Sequence, residues 1–282
     1  MDDVLITSRR NPLVRRLRTL STRAGREAEQ SLLLEGTHLL DECLSHGLCP
    51  KEVISTDDWK ARHPRLVERC GSHLTWHRVT DEVLGAALTT VTPDGVACIC
   101  PLAQLPLPAA DVGFVLVLDR IQDPGNLGTL LRTALAADVE AVWLGAGADP
   151  ISPKVLRASA GALLQLPHQR FGPDGDSALA QLEDQLIHLA SRGVQVVATL
   201  VSDSEGPLQV IPYWQLDWTR PTALVLGTEG AGLHQRLQAC CTHAVTLPHS
   251  SKVESLNVAA AAVPLLLERR RATMTATSQQ SG

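Results

Sequence analysis

No apolar stretch of this 282-residue sequence is long enough to span a bilayer: the longest run, Val258 to Leu267, is about half of the roughly 20 residues needed and contains Pro264. The opening MDDVLITSRR has no apolar core of a signal peptide, so a cytoplasmic protein is expected. No two of the seven cysteines have C-x-x-C spacing, and the odd count forms no disulfide framework. Free, mostly buried thiols and no metal are therefore expected. Aromatic residues are scarce, with five Trp, one Tyr and two Phe, so base stacking is excluded as the main mode of any nucleic-acid contact. There is also no cationic excess; the net charge of −5 excludes a protein that coats nucleic acid indiscriminately.

A 44% hydrophobic and 20% charged chain of this length can bury two ordinary cores. Its charge is unevenly placed. The first thirty residues carry seven arginines against four carboxylates, a net of +3, which leaves −8 for the remainder. Such an arm can steer toward phosphates or can be a solvated helix face. Leu13, Leu17 and Leu20 fall at helical spacing behind Asn11 and Pro12, an N-cap and a first-turn proline. Strands at 31–34, 52–55 and 96–100, interleaved with short helices, make a small α/β unit over residues 1–105. The proline-rich stretch around residues 106–111 reads as a linker. A β/α alternation then fills 112–271, with apolar strands such as FVLVL and ALVL that indicate a parallel sheet covered on both faces. Residues 272–282 are small and polar, and are expected to be disordered.

In an open parallel sheet, ligands collect beyond the carboxyl ends of the strands. Three such ends carry unusual residues. The first runs from Asp119 through Gly125 and Asn126 into a helix bearing Arg132, with Asn126 as an expected cap. The second packs Gly227, Gly230 and Gly232 around Glu229. The third passes Pro248 and reaches a helix start near Ser255 to Asn257, closing on Arg269 to Arg271. Glycines permit close backbone approach, and free helix N–H groups can hold a ligand. The string is neither G-x-G-x-x-G nor a P-loop, and it lacks the acidic residue of a dinucleotide-dependent oxidoreductase.

GNLGTLLRTA (125–134), LVLGTEGAGL (224–233) and LPHSSKVESLNVAAA (247–261) resemble, in order and spacing, the three motifs of the SpoU-type RNA 2′-O-ribose methyltransferases of the SPOUT class. ISPKVLRASAGALLQLP (151–167) is similar to that family's middle segment, and residues 6–40 resemble the substrate-binding domain many members carry in front. The resemblance implies an α/β catalytic domain whose parallel-sheet chain forms a deep trefoil knot, with S-adenosylmethionine bent into the knotted loops. It implies cofactor contacts at Thr199, Leu200, Leu226, Gly227, Leu247 and Leu256, and a transfer site of Asn126, Arg132, Glu229, Ser255 and Asn257. Homodimers paired through the last helix are implied as well. So is an RNA partner gripped by Arg9, Arg15, Arg16, Arg18 and Arg23, ribosomal RNA before transfer RNA. A non-catalytic RNA-binding assembly factor of the same fold is the alternative. The sequence departs from the family pattern at His249, Ser251 and Pro264.

Overall fold

The computed structural model describes residues 4–71, 74–172, 174–201, 207–228 and 232–280. In chain order the elements begin α1 (Pro12–Leu20), α2 (Arg23–Glu29), β1 (Ser31–Glu35), α3 (Thr37–Ser45), β2 (Glu52–Ser55), α4 (Asp57–Arg62), α5 (Pro64–Cys70), β3 (Thr75–Arg78), α6 (Asp81–Ala87) and β4 (Val96–Pro101). They continue β5 (Phe114–Leu118), α7 (Pro124–Ala136), β6 (Ala141–Leu144), α8 (Pro153–Ala158), β7 (His168–Arg170), α9 (Gly175–Ser191), β8 (Gln195–Thr199), β9 (Val210–Pro212), β10 (Thr222–Leu226), α10 (Gln235–Ala239), β11 (His243–Thr246) and α11 (Val258–Gln280). The chain divides into two compact units: 1–105 with 149–165, and 106–148 with 166–282.

The first unit holds a four-stranded sheet in the order β1-β4-β2-β3, antiparallel except for the β2–β3 pair. Asn11 caps α1 by accepting from Leu13 N at 2.9 Å, with Pro12 in the first turn, and Leu13, Val14, Leu17 and Leu20 are buried against Leu33, Ile54 and Ile99. Segment 149–165, expected within the second domain, groups with this unit because two carboxylate–arginine pairs hold it there. Arg26, 1% exposed, donates to Asp149 and to Leu20 O. Glu35, 3% exposed, accepts from Arg157 and from the main chain and hydroxyls of Thr89 and Thr90. Removing one partner of a buried pair strands the other charge. Asp149→Ala should therefore lower the free energy of unfolding of this unit by about 3–5 kcal/mol in urea titration. A loss under about 1 kcal/mol would mean that Arg26 does not depend on Asp149.

The second unit holds a seven-stranded, fully parallel sheet in the order β7-β6-β5-β10-β8-β11-β9. β5 and β10 are buried along their whole length, as near-continuous apolar runs require. On one face Val115, Val117, Ala223 and Val225 pack with Leu182, Leu186 and Leu189 of α9 and Leu237 of α10. On the other, α7 and α11 pack together, and the Arg269 guanidinium of α11 lies 5.3 Å from the Phe114 ring centre.

α11 corrects the expectation of a disordered tail. It runs on through Arg271 to Gln280, so residues 272–280 of the expected disordered tail are helical; Ala272, Met274 and Ala276 favour helix, and no glycine or proline intervenes there. It also passes through Pro264. That proline leaves the Ala260 carbonyl without its donor, and Ala260 is exposed, where water can satisfy it. All seven cysteines are free; burial pushes the Cys241 thiol up to about 12. Among the described residues no helix is long and apolar enough to cross a membrane.

Candidate functional site

Because the sheet is parallel, the turns after β5, β8, β10 and β11 leave from one end of it. α7 opens three residues earlier than its apolar pattern suggests. Asp123, not Asn126, is the N-cap: its carboxylate accepts from Asn126 N at 2.8 Å and Pro124 follows in the first turn. The Asn126 side chain is thereby left for another partner. Asn257 donates through Nδ2 to Asn126 Oδ1 at 3.0 Å, while its own Oδ1 accepts from Ala260 N at 3.1 Å and starts α11 at Val258. Two asparagines 131 positions apart thus join the first turns of α7 and α11.

Beside this junction is a cavity of about 680 Å³. Thr199, Leu200, Leu226, Gly227, Leu247 and Leu256, the six residues expected around a cofactor, all line it, as do Ser255 and His249. Leucines recur in its lining, together with Thr199, Thr228, Gln238, Thr246 and Glu254. His249 lies where the family more often has methionine; its Nδ1 is 2.8 Å from Leu247 O, a contact in which the ring N–H donates. Gly227 has no room for a side chain: a Cβ there would come 2.3 Å from the main-chain atoms of Gly232 and Leu233.

Arg132 is exposed on α7, and among the described residues it makes no ion pair or hydrogen bond. At 3.6 residues per turn it lies about 120° around the helix from Asn126, so only its long side chain, and not helix phase, relates the two. Glu229 lies outside the described residues.

The arginines of the front unit divide. Arg16 is committed within the fold, donating to Glu29 at 2.8 Å and to Glu52 at 2.7 Å. Burial pushes the Glu52 carboxyl up, but Arg16 and His77 outweigh it and hold it below its ordinary value. Arg18 donates to Ala86 O at 2.6 Å and Arg23 to Glu27 at 2.7 Å. Arg9, Arg10 and Arg15 are exposed and, among the described residues, form no salt bridge, although the Glu82 carboxylate feels the charge of Arg9.

Asp119 had no assigned role in the sequence reading. It is 2% exposed at the end of β5, accepts from His234 N at 3.1 Å and pairs with Arg120 at 3.0 Å. A carboxylate directly abutting the buried run FVLVL was the available signal. Among the described residues no cluster of His, Cys, Asp and Glu is arranged to hold a metal ion.

Two family models match the chain: the SpoU rRNA Methylase family over residues 113–266, and the MRM3-like substrate binding domain over residues 11–98. An uncharacterized tRNA/rRNA methyltransferase of Synechocystis sp. is 42% identical over 96% of this chain and 94% of its own length. The 23S rRNA (guanosine(2553)-2′-O)-methyltransferase RlmP of Bacillus subtilis is 32% identical over 94% of this chain and 98% of its own. The AdoMet-bound rRNA methyltransferase from Sinorhizobium meliloti superposes with a TM-score of 0.77 at 28% identity, covering 95% of this chain and 97% of that one. With a parallel sheet, a cavity at its strand ends and matches over both units, the chain belongs to the SpoU rRNA methylase family.

Proposed function

We propose that this chain transfers a methyl group from S-adenosylmethionine to a ribose 2′-hydroxyl of ribosomal RNA. One observation carries the reading: the cavity of about 680 Å³ at the strand ends, lined by Leu200, Leu226, Leu247 and Leu256, with Leu256 and Val258 flanking the Asn257 that bonds Asn126. Its size lies within the roughly 300–1,000 Å³ of small-molecule sites, and a lining that mixes leucines with threonines, Gln238 and Glu254 suits a ligand that is part apolar and part hydrogen-bonding. S-adenosylmethionine, when bound, supplies a methyl on a positively charged sulfur open to in-line displacement. The remaining work falls to the chain. Leu226, Gly227, Leu247 and Leu256 hold the cofactor, Asn126 and Asn257 orient the hydroxyl, and Ser255 and Glu229 complete the transfer site. Arg132 carries a permanent cation, a poor base but a good partner for the developing alkoxide and the neighbouring phosphate. Calorimetric titration should show saturable binding of one S-adenosylmethionine per chain; no heat and no thermal stabilisation would remove the cofactor from the account.

The same reading extends to assembly and substrate. Insertion of β11 between β8 and β9 supports a trefoil knot in this sheet. Val263, Leu267 and Met274 are exposed on one face of α11, which supports a homodimer formed through that helix. Sedimentation that returned only the 30.3 kDa monomer at micromolar concentration would contradict the dimer. Cytoplasmic residence accords with an RNA substrate. On the front unit, Arg9 and Arg15 with the adjacent Arg10 grip phosphates, while Arg16, Arg18 and Arg23 serve the fold and its surface. Replacing Arg9, Arg10 and Arg15 together by Ala should weaken ribosomal RNA binding and reduce the slope of log K against log salt by about 2. An unchanged slope would take the arm out of the interface.

A further inference from the structure

The turn after β10 supplies one wall of the cavity through Leu226, Gly227, Thr228, Gly232 and Leu233. Both described ends of that turn are tied to one residue of the neighbouring strand end. Asp119 N donates to Leu226 O at 2.9 Å, where the turn leaves the sheet. Asp119 Oδ2 accepts from His234 N at 3.1 Å, where the turn returns to begin α10. Between these ties Thr228 and Gly232 exchange two main-chain hydrogen bonds, at 3.1 and 3.0 Å, and Gly227 is packed against Gly232 and Leu233. The turn therefore has a narrow neck, and its place relative to β5 is set by Asp119.

The carboxylate is itself fixed. Arg120 Nε lies 3.1 and 3.2 Å from its two oxygens and Nη2 lies 3.0 Å from Oδ2. To reach them Arg120 adopts φ 55°, a left-handed conformation rare in a residue that is not glycine. Such conformations persist where surrounding contacts over-determine them. Here the contact is the pairing of a buried negative charge. Asp119 does not line the cavity, so any influence it has on a ligand passes through the turn.

We propose that Asp119 is a positioning residue for the cofactor: held by Arg120, it fixes the neck of the turn after β10 and with it the Leu226–Thr228 wall of the cavity. The inference rests on reading that cavity as the S-adenosylmethionine site. Two readouts on the full-length protein test it. In cofactor-free protein, Asp119→Ala should speed amide exchange at Gly232 to His234 at least tenfold, with the amides of β8 and β11 unchanged. By calorimetry, the same variant should raise the S-adenosylmethionine dissociation constant about tenfold to a hundredfold, the scale of one hydrogen bond to a charged acceptor. Asp119→Asn keeps an acceptor for His234 N and should recover most of both losses. Should Asp119→Ala fail to fold, Asp119→Asn decides alone, with a several-fold rise expected in each quantity. Wild-type exchange at Gly232 to His234, or a wild-type dissociation constant in a folded variant, would overturn the proposal. A wild-type protein that bound no S-adenosylmethionine would overturn the cofactor reading and the inference with it, while the exchange data would still report what Asp119 does to the turn.

Discussion

Replacing Arg132 by Ala should slow methyl transfer by about 10²- to 10³-fold, the scale of losing a fixed donor aimed at a developing oxyanion. The expectation comes from where the side chain sits. α7 buries Leu127, Leu130, Leu131 and Ala134, whereas Arg132 is on its exposed side, with no partner among the described residues to hold it for a structural purpose. Its removal should change stability by no more than about 0.5 kcal/mol, as for an ordinary surface position. Arg132 does not line the cavity, so the S-adenosylmethionine dissociation constant should stay within about twofold of wild type. Arg132→Lys should recover only part of the rate, because an ammonium keeps the charge and loses the planar fork that grips a phosphate. Turnover within a few-fold of wild type in Arg132→Ala would sink the assignment.

Gly227→Ala should weaken cofactor binding by the opposite route, with little direct effect on the transfer residues. The added Cβ would meet Gly232 C and O and Leu233 N at 2.3 Å, and these are main-chain atoms that no rotamer change can move aside. The neck of the turn must open, displacing the cavity wall formed by Gly227 and Gly232. An S-adenosylmethionine dissociation constant raised about a hundredfold or more is expected, with the protein still folded, since overpacking at a strand end typically costs about 1–3 kcal/mol. Wild-type affinity in Gly227→Ala would place the cofactor elsewhere.

Strong local signals made the central sheet legible. FVLVL and TALVL are long, apolar and bounded by turn residues, and both form fully buried strands. β7 and β9 were missed; HQR and VIP are three-residue strands at the two edges of the sheet, too short to display a period of two. α2 was missed because RAGREAE has no apolar stripe, and the side chain it buries is an arginine. The placement of 149–165 depends on the pairs Arg26–Asp149 and Glu35–Arg157, more than a hundred positions apart, which single-sequence periodicity cannot register. The glycines, asparagines and prolines at the strand ends were visible in the sequence, but such residues also serve as ordinary turn formers and caps. Asn126 was expected as the cap of α7, but Pro124, whose fixed φ suits the first helical position, puts the cap at Asp123. The five basic residues assigned to RNA illustrate the converse: charge was visible in the sequence, but the commitment of Arg16 to Glu29 and Glu52 was not.

The most direct test of the central claim is incubation of the purified chain with methyl-labelled S-adenosylmethionine and, in separate reactions, unmodified ribosomal RNA and unmodified transfer RNA, followed by nucleoside mass spectrometry. The account predicts a labelled 2′-O-methyl nucleoside from ribosomal RNA, formed about 10²- to 10³-fold more slowly by Arg132→Ala. Label confined to transfer RNA, label on a base instead of a ribose, or no label on either RNA from a protein that binds the cofactor would contradict it.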